Sequence, residues 1–345
     1  MVHHFDPFLW QISGEFGIRW YGLSYMMGFV CAFLLIRWFS SRDATSLEPQ
    51  EVGDFITYAA IGILVGGRLG YVFFYSPDLL TDIRSTFPYW RVLAVNEGGM
   101  ASHGGMIGLI VAGVVFGMRY RKDYLHLLDL AALTGPIGIL FGRLANFING
   151  ELVGRICDAK FPLAVKFPQD ILSWPSREFS RVEGLSTIVD KIGISKDQWL
   201  NWVSSYQSDS SARYKIQEAS LKIIEQIQNG DLALREAIAP LLDPRHPSQL
   251  YAAASEGLLL FLFLFWYMRR PRKPGLAGAW FVTLYAIVRI SDELFRMPDA
   301  HIGFQAFGLT RGQWLSVVML MIGFGLLIAY SRRKVSLVSG WGHRD

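Results

Sequence analysis

Charged residues are scarce in this chain of 345 residues: Asp, Glu, Lys and Arg make up 18%, against 52% hydrophobic residues. Soluble domains carry about 25% charged residues. That shortage, with a mean hydropathy of +0.28, excludes an ordinary soluble enzyme and points to a polytopic membrane protein. Only two cysteines are present, Cys31 inside an apolar run and Cys157, so no disulfide framework is expected. His3, His4, His126, His246, His301 and His343 are scattered through termini and loops without metal-ligand spacing. No metal or other cofactor is therefore expected. A G-x-S-x-G elbow, a nucleotide motif and a strong internal repeat are all missing, and the small net charge of +4 gives no reason to expect a nucleic-acid partner. The N-terminus, M-V-H-H-F-D-P-F, lacks a basic n-region and a cleavage site, so the first span is expected to stay in the mature protein.

What the chain does have is apolar length. Seven runs, near 20–39, 54–75, 98–118, 125–148, 249–268, 275–296 and 313–330, can each cross about 30 Å of hydrocarbon, which takes about 20 helical residues. The expected fold is an all-α polytopic membrane protein of about seven transmembrane helices, a single membrane domain over 1–345. Eleven Trp, fourteen Tyr and 24 Phe suit interfacial belts. Positive charge gathers in alternate connections: Arg37 and Arg42, then Arg119, Arg121 and Lys122, then Arg269, Arg270, Arg272 and Lys273, then Arg332, Arg333 and Lys334. Such clusters stay cytoplasmic, so the N-terminus is expected outside and the C-terminus inside. One long polar connection, 155–245, forms an outer-side insertion. Tyr214, Ile216, Leu221, Ile224 and Ile227 fall near helical spacing there. A solvated loop with small amphipathic helices and a substrate-handling head both fit that pattern.

The stretch G-R-L-A-N-F-I-N-G-E-L-V-G-R at 142–155 closes the fourth run with Arg143, Asn146, Asn149 and Glu151. An ionisable residue inside a span marks a functional site by default. Topology converts position into depth at about 1.5 Å per helical residue. Counted from Gly98, His103 lies roughly 8 Å below the outer edge. Arg68 and Arg143 arrive in the outer half of outward-running spans. Tyr285, Arg289 and Glu293, spaced i, i+4, i+8, share one face in the middle-to-outer part of the sixth. Polar residues of four spans thus converge on one outer level, which implies a polar cavity reachable from outside. Each also has a plainer reading. Arg289 and Glu293 make an intramembrane ion pair, Arg68 snorkels to headgroups, and Trp20 and Tyr21 belong to the aromatic belt. Tyr285, Asn146 and Asn149 serve as helix contacts, and Gly104 and Gly108, beside His103, allow close helix packing.

Arginines around an outer cavity suit an anionic phosphate ester, and the outer leaflet offers one in a phospholipid headgroup. A neutral histidine nearby could take a proton from a nucleophile brought by a second substrate. A transporter for an anionic solute would use the same arginines, but would require repeat symmetry and an inner access path. Neither shows in the sequence. A non-catalytic lipid-binding scaffold would tolerate loss of His103.

Six motifs carry a family resemblance: W-Y-G at 20–22, G-G-R-L-G-Y-V at 66–72, H-G-G-M-I-G at 103–108, the fourteen residues at 142–155, R-H-P-S-Q-L-Y at 245–251 and Y-A-I-V-R-I-S-D-E-L-F-R at 285–296. Their order and content resemble the prolipoprotein diacylglyceryl transferases of bacterial membranes. The resemblance implies transfer of an sn-1,2-diacylglyceryl group from phosphatidylglycerol to the lipobox cysteine thiol of a prolipoprotein, with glycerol 1-phosphate leaving. It implies an active site towards the outer leaflet of the cytoplasmic (inner) membrane. Lipobox peptides and membrane lipids would be the partners. Arg143 is implied as the lipid-binding residue and His103 as the base for the thiol, with Arg289 as a second catalytic cation. Tyr21, Arg68, Asn146, Gly154, Tyr285 and Glu293 are the expected substrate-binding positions. Two features depart from the family pattern: Ala145 stands where glycine is usual, and the insertion around 170–243 is longer, so its role does not transfer.

Overall fold

The computed structural model describes residues 1–13, 16–95, 98–297 and 305–342; His301 and His343 lie outside them. The chain begins with a short hairpin, β1 (Phe8–Ser13) paired antiparallel with β2 (Phe16–Arg19). This hairpin is a small addition to the expected all-α membrane architecture. Its aromatic and β-branched residues favour strand, and Gly17 permits the pairing because a Cβ there would lie 2.5 Å from the Trp10 carbonyl oxygen. Helices α1 (Trp20–Ser40), α2 (Glu51–Phe74), α3 (Ser102–Tyr120) and α4 (Tyr124–Asn149) follow. The insertion contributes α5 (Lys196–Ser205), α6 (Ser210–Gln228) and α7 (Leu232–Ile238), besides shorter turns. Then come α8 (Ser248–Tyr267), which contains a π-helical stretch at Ala253–Leu259, α9 (Leu276–Asp292) and α10 (Arg311–Arg332). Among the described residues six of these, all but α9 of the expected seven, are long and apolar enough to cross a membrane. The protein is a polytopic membrane protein built almost wholly of helices.

The chain divides into two compact units. One holds Met1–Tyr25, Leu140–Glu256 and Ile287–Val317. Its insertion has a core of its own, in which Trp174, Val189, Trp199, Ile216, Ile223 and Leu234 are buried together. A packed core replaces the picture of small helices in a solvated loop: α6 buries Ile216, Ile223, Ile224 and Ile227 along one stripe, the amphipathic pattern of a globular helix. Asp209, Ser195 and Asp231 cap its three helices. Buried Asp170 accepts a close ion pair from Arg245, and its pKa is nevertheless raised, because burial outweighs the arginine. The N-terminal segment docks here. His3 N–H donates to the Lys166 carbonyl at 2.8 Å and the Lys166 N–H donates to that of Met1 at 2.9 Å. The His3 ring is fully buried, edge-on to Phe147, with Nε2 donating to the Phe147 carbonyl at 2.7 Å.

The other unit holds Met26–Ile139, Gly257–Ala286 and Val318–Asp345. Its core gathers Ile36, Phe39, Phe55, Phe116, Leu127 and Leu264. Helices α2 and α3 meet through glycines: a Cβ on Gly108 would lie 1.9 Å from the Gly62 carbonyl oxygen, and one on Gly104 would lie 2.2 Å from that of Gly66. The glycines beside His103 therefore serve backbone-to-backbone packing. Helix α3 starts at Ser102 and not at Gly98, since Gly98 and Gly99 hold left-handed φ values of +85° and +78°. His103 thus stands in the first turn, and the depth counted from Gly98 does not hold.

Candidate active site

The last turns of α4 deliver Arg143 and Asn146, and the chain then leaves the helix through Gly150, whose φ is +68°. A Cβ on Gly150 would lie 2.3 Å from the Gln169 side chain. This exit sets Glu151 beneath the asparagines: Asn146 Nδ2 donates to its carboxylate at 2.7 Å, and Asn149 Nδ2 approaches it at 3.5 Å. The two polar residues that looked like possible helix glue are instead organised around Glu151. Gly154 lies where three chain segments meet. It bridges Arg296, its carbonyl accepts from Arg245 Nη1 at 3.1 Å, and a Cβ would lie 2.2 Å from the His246 carbonyl oxygen. No larger residue fits without separating those segments.

Glu256 binds the arginines together. Its carboxylate is wholly buried on the π-helical stretch of α8. It accepts from Arg143 Nη2 at 2.7 Å and Nε at 3.1 Å, and from Arg289 Nη1 at 3.4 Å. Arg289 also makes a close ion pair with Glu293, which accepts from the Thr310 hydroxyl at 2.8 Å. Thr310 in turn forms a reciprocal cap with Gln313 at the start of α10. The expected Arg289–Glu293 ion pair is therefore present, as part of a longer chain of charges. Beside it Asp292 accepts from Ser255 at 2.6 Å. Arg143, Arg289, Arg296, Asp292, Ser248 and Gln249 line one recess. Cations on such a wall can hold a phosphate by forked hydrogen bonds.

Tyr21, in the first turn of α1, belongs to the same unit, its ring centroid 5.4 Å from that of Tyr25. Arg68, His103 and Tyr285 belong to the other. There Arg68 is buried and donates to the carbonyls of Val92 and Gly98 at 2.6 Å, Arg91 at 2.7 Å and Gly99 at 3.1 Å. Four of its five N–H donors fasten the connection before α3 to α2. His103 is exposed and makes no hydrogen bond through its ring among the described residues. Tyr285 stacks on Phe281 at 5.7 Å. Glu256, Gln249 and Asp292 were not among the expected site residues.

Residues 7–329 match the family model described as prolipoprotein diacylglyceryl transferase. This chain belongs to that family. The phosphatidylglycerol–prolipoprotein diacylglyceryl transferase of Bdellovibrio bacteriovorus is 60% identical over 345 residues, covering 99% of this chain and 98% of the relative. The enzymes of the same description from Burkholderia ambifaria and Neisseria gonorrhoeae are 34% and 33% identical, each match covering 97% of this chain and 99% of the relative. The protein is accordingly a membrane-embedded transferase of lipoprotein biogenesis. The motifs quoted for the family resemblance lie within the matched span.

Proposed function

We propose that the chain transfers an sn-1,2-diacylglyceryl group from phosphatidylglycerol to the lipobox cysteine thiol of prolipoproteins, with the lipid phosphate held at the arginine-lined recess. The observation that carries this placement is the meeting of Arg143 and Arg289, from separate helices, on one buried carboxylate. Glu256 fixes both guanidiniums, so their charge is already in position as the phosphate gains charge. The thiolate sulfur attacks the glyceryl carbon and a C–S bond forms. The C–O bond to phosphate breaks, and glycerol 1-phosphate leaves with the bonding electrons. The thiol proton goes to a base, for which His103 is the candidate. A thiol near its ordinary pKa needs only modest help to ionise.

Asn146 acts by orienting Glu151, and Gly154 by letting the recess close. Glu293 holds Arg289, while Tyr21 and Tyr285 remain candidate contacts for the substrates. Arg68 holds the connection that precedes His103. We place the site towards the outer leaflet of the bacterial cytoplasmic membrane, in a seven-span arrangement with the N-terminus outside.

Purified protein incubated with phosphatidylglycerol and a lipobox peptide tests the reading. Arg143→Ala and Arg289→Ala should each lose diacylglyceryl transfer by about 100-fold or more. Arg143→Lys should recover little, because an ammonium cannot reproduce the planar fork. Full activity in Arg143→Ala would sink the phosphate clamp, and unchanged transfer by His103→Ala would remove the base assignment alone.

A further inference from the structure

Gln249 opens α8, and its side chain is 2% exposed. Its Nε2 donates to the Glu151 carbonyl at 2.6 Å, which settles which end of the amide carries oxygen. That oxygen, Oε1, is buried and has no hydrogen-bond partner among the described residues. Buried amide oxygens are nearly always paired, and one left without a partner is costly. The same side chain lines the recess that holds Arg143 and Arg289. The neighbouring Ser248 hydroxyl cannot serve as a donor, since it is committed to the Leu152 carbonyl at 3.0 Å.

The recess therefore presents cations for a phosphate and, next to them, an acceptor in need of a donor. We propose that Gln249 Oε1 accepts a hydrogen bond from a hydroxyl of the lipid's glycerol headgroup, and so selects the headgroup. This rests on the recess being the phosphatidylglycerol site. The three arginines that line the recess are balanced by three carboxylates, Asp292 beside them and Glu256 and Glu293 paired with Arg143 and Arg289. A glycerol hydroxyl satisfies that oxygen without adding a charge to this balanced set, and a headgroup with no donor leaves it unpaired. A site built to bond a substrate hydroxyl discriminates strongly against the analogue lacking it.

The test pairs the residue with the headgroup. Wild-type protein is given phosphatidylglycerol or phosphatidylpropanol, which has the same phosphate and no headgroup hydroxyl, and kcat/KM is measured for each. Wild type should prefer phosphatidylglycerol by about tenfold or more, and Gln249→Met, similar in shape with no amide oxygen, should bring the ratio close to one. A residue acting only through the Glu151 carbonyl would slow both lipids by one factor and keep the ratio, which would overturn the proposal. A second measurement needs no variant. Glycerol 1-phosphate should inhibit the wild-type enzyme more strongly than propyl phosphate, and equal inhibition overturns the proposal too. Arg143→Ala separates the two failures. If it is inactive while the two lipids react alike, only the role of Gln249 falls; if it is fully active, the recess is not the lipid site.

Discussion

A carboxylate with no solvent contact survives in a protein only if its charge is matched, and Glu256 is matched by Arg143 and Arg289. Removing one member of such a group leaves the others buried and uncompensated. Glu256→Ala should therefore destabilise the protein by about 3–5 kcal/mol and also abolish transfer. Thermal unfolding in detergent with a parallel transfer assay reads both, and a wild-type melting temperature in this variant would refute the coupling. Glu256→Gln keeps the shape and loses the charge, so transfer should fall further than stability does. Arg143 was legible in the sequence because it breaks the polarity of a span, and Arg289 and Glu293 because their spacing puts them on one face. Glu256 obeys the same rule, an ionisable residue inside the fifth apolar run, but its motif S-E-G is brief and its partners lie on other helices. Gln249 carries no such signal. Its importance arises from a missing partner, and no sequence pattern records that.

Among the elements, six of the seven apolar runs were legible to within a few residues as helices long and apolar enough to cross a membrane, since such a helix must shield its own backbone in hydrocarbon; the run 275–296 ends as a helix at Asp292. The start of α3 was not, because two left-handed glycines before it look, in sequence, like the beginning of the run. The packing of α2 on α3 leaves no room for a methyl group at Gly108. Gly108→Ala should cost about 1–3 kcal/mol, read as a lowered melting temperature, and an unchanged melting temperature would mean that the two helices separate freely. The N-terminal segment makes a different prediction. Burial holds the His3 imidazole at about 4, down from its ordinary 6.5, despite the hydrogen bond to Phe147. Above pH 6.5 the His3 ring is neutral in the docked and the released segment alike, so it adds no pH dependence there. Between 6.5 and about 4 the released segment takes a proton that the docked one refuses, so docking weakens as pH falls. Aminopeptidase trimming of the first residues should accelerate from pH 7.5 to pH 5 (about the middle of that window), at matched enzyme activity. His3→Asn, which cannot titrate, should remove the acceleration.

At the scale of the whole molecule, local contacts constrain which segments share a side of the membrane. The N-terminus pairs with Lys166 of the insertion, so these two lie together. The C-terminal segment pairs Val338 with Arg272 and stacks Trp341 on Phe265, so the tail lies with the connection 269–273. That connection holds Arg269, Arg270, Arg272 and Lys273, the strongest cytoplasmic signal in the chain. Whether the N-terminus is opposite depends on α9. Its 17 residues rise about 25 Å, short of about 30 Å of hydrocarbon, although the turn from Glu293 to Arg296 extends the crossing. If α9 crosses, seven spans separate the ends; if it does not, six leave them together. With Cys31 and Cys157 replaced by serine, a membrane-impermeant maleimide should label Tyr214→Cys on the insertion in intact cells, where the native side chain is 68% exposed. Ser336→Cys, beside the tail, should react only after the membrane is opened. Labelling of both from outside would mean that α9 does not cross. Arg289 and Glu293, near its end, would then lack the membrane depth that the proposed lipid site requires.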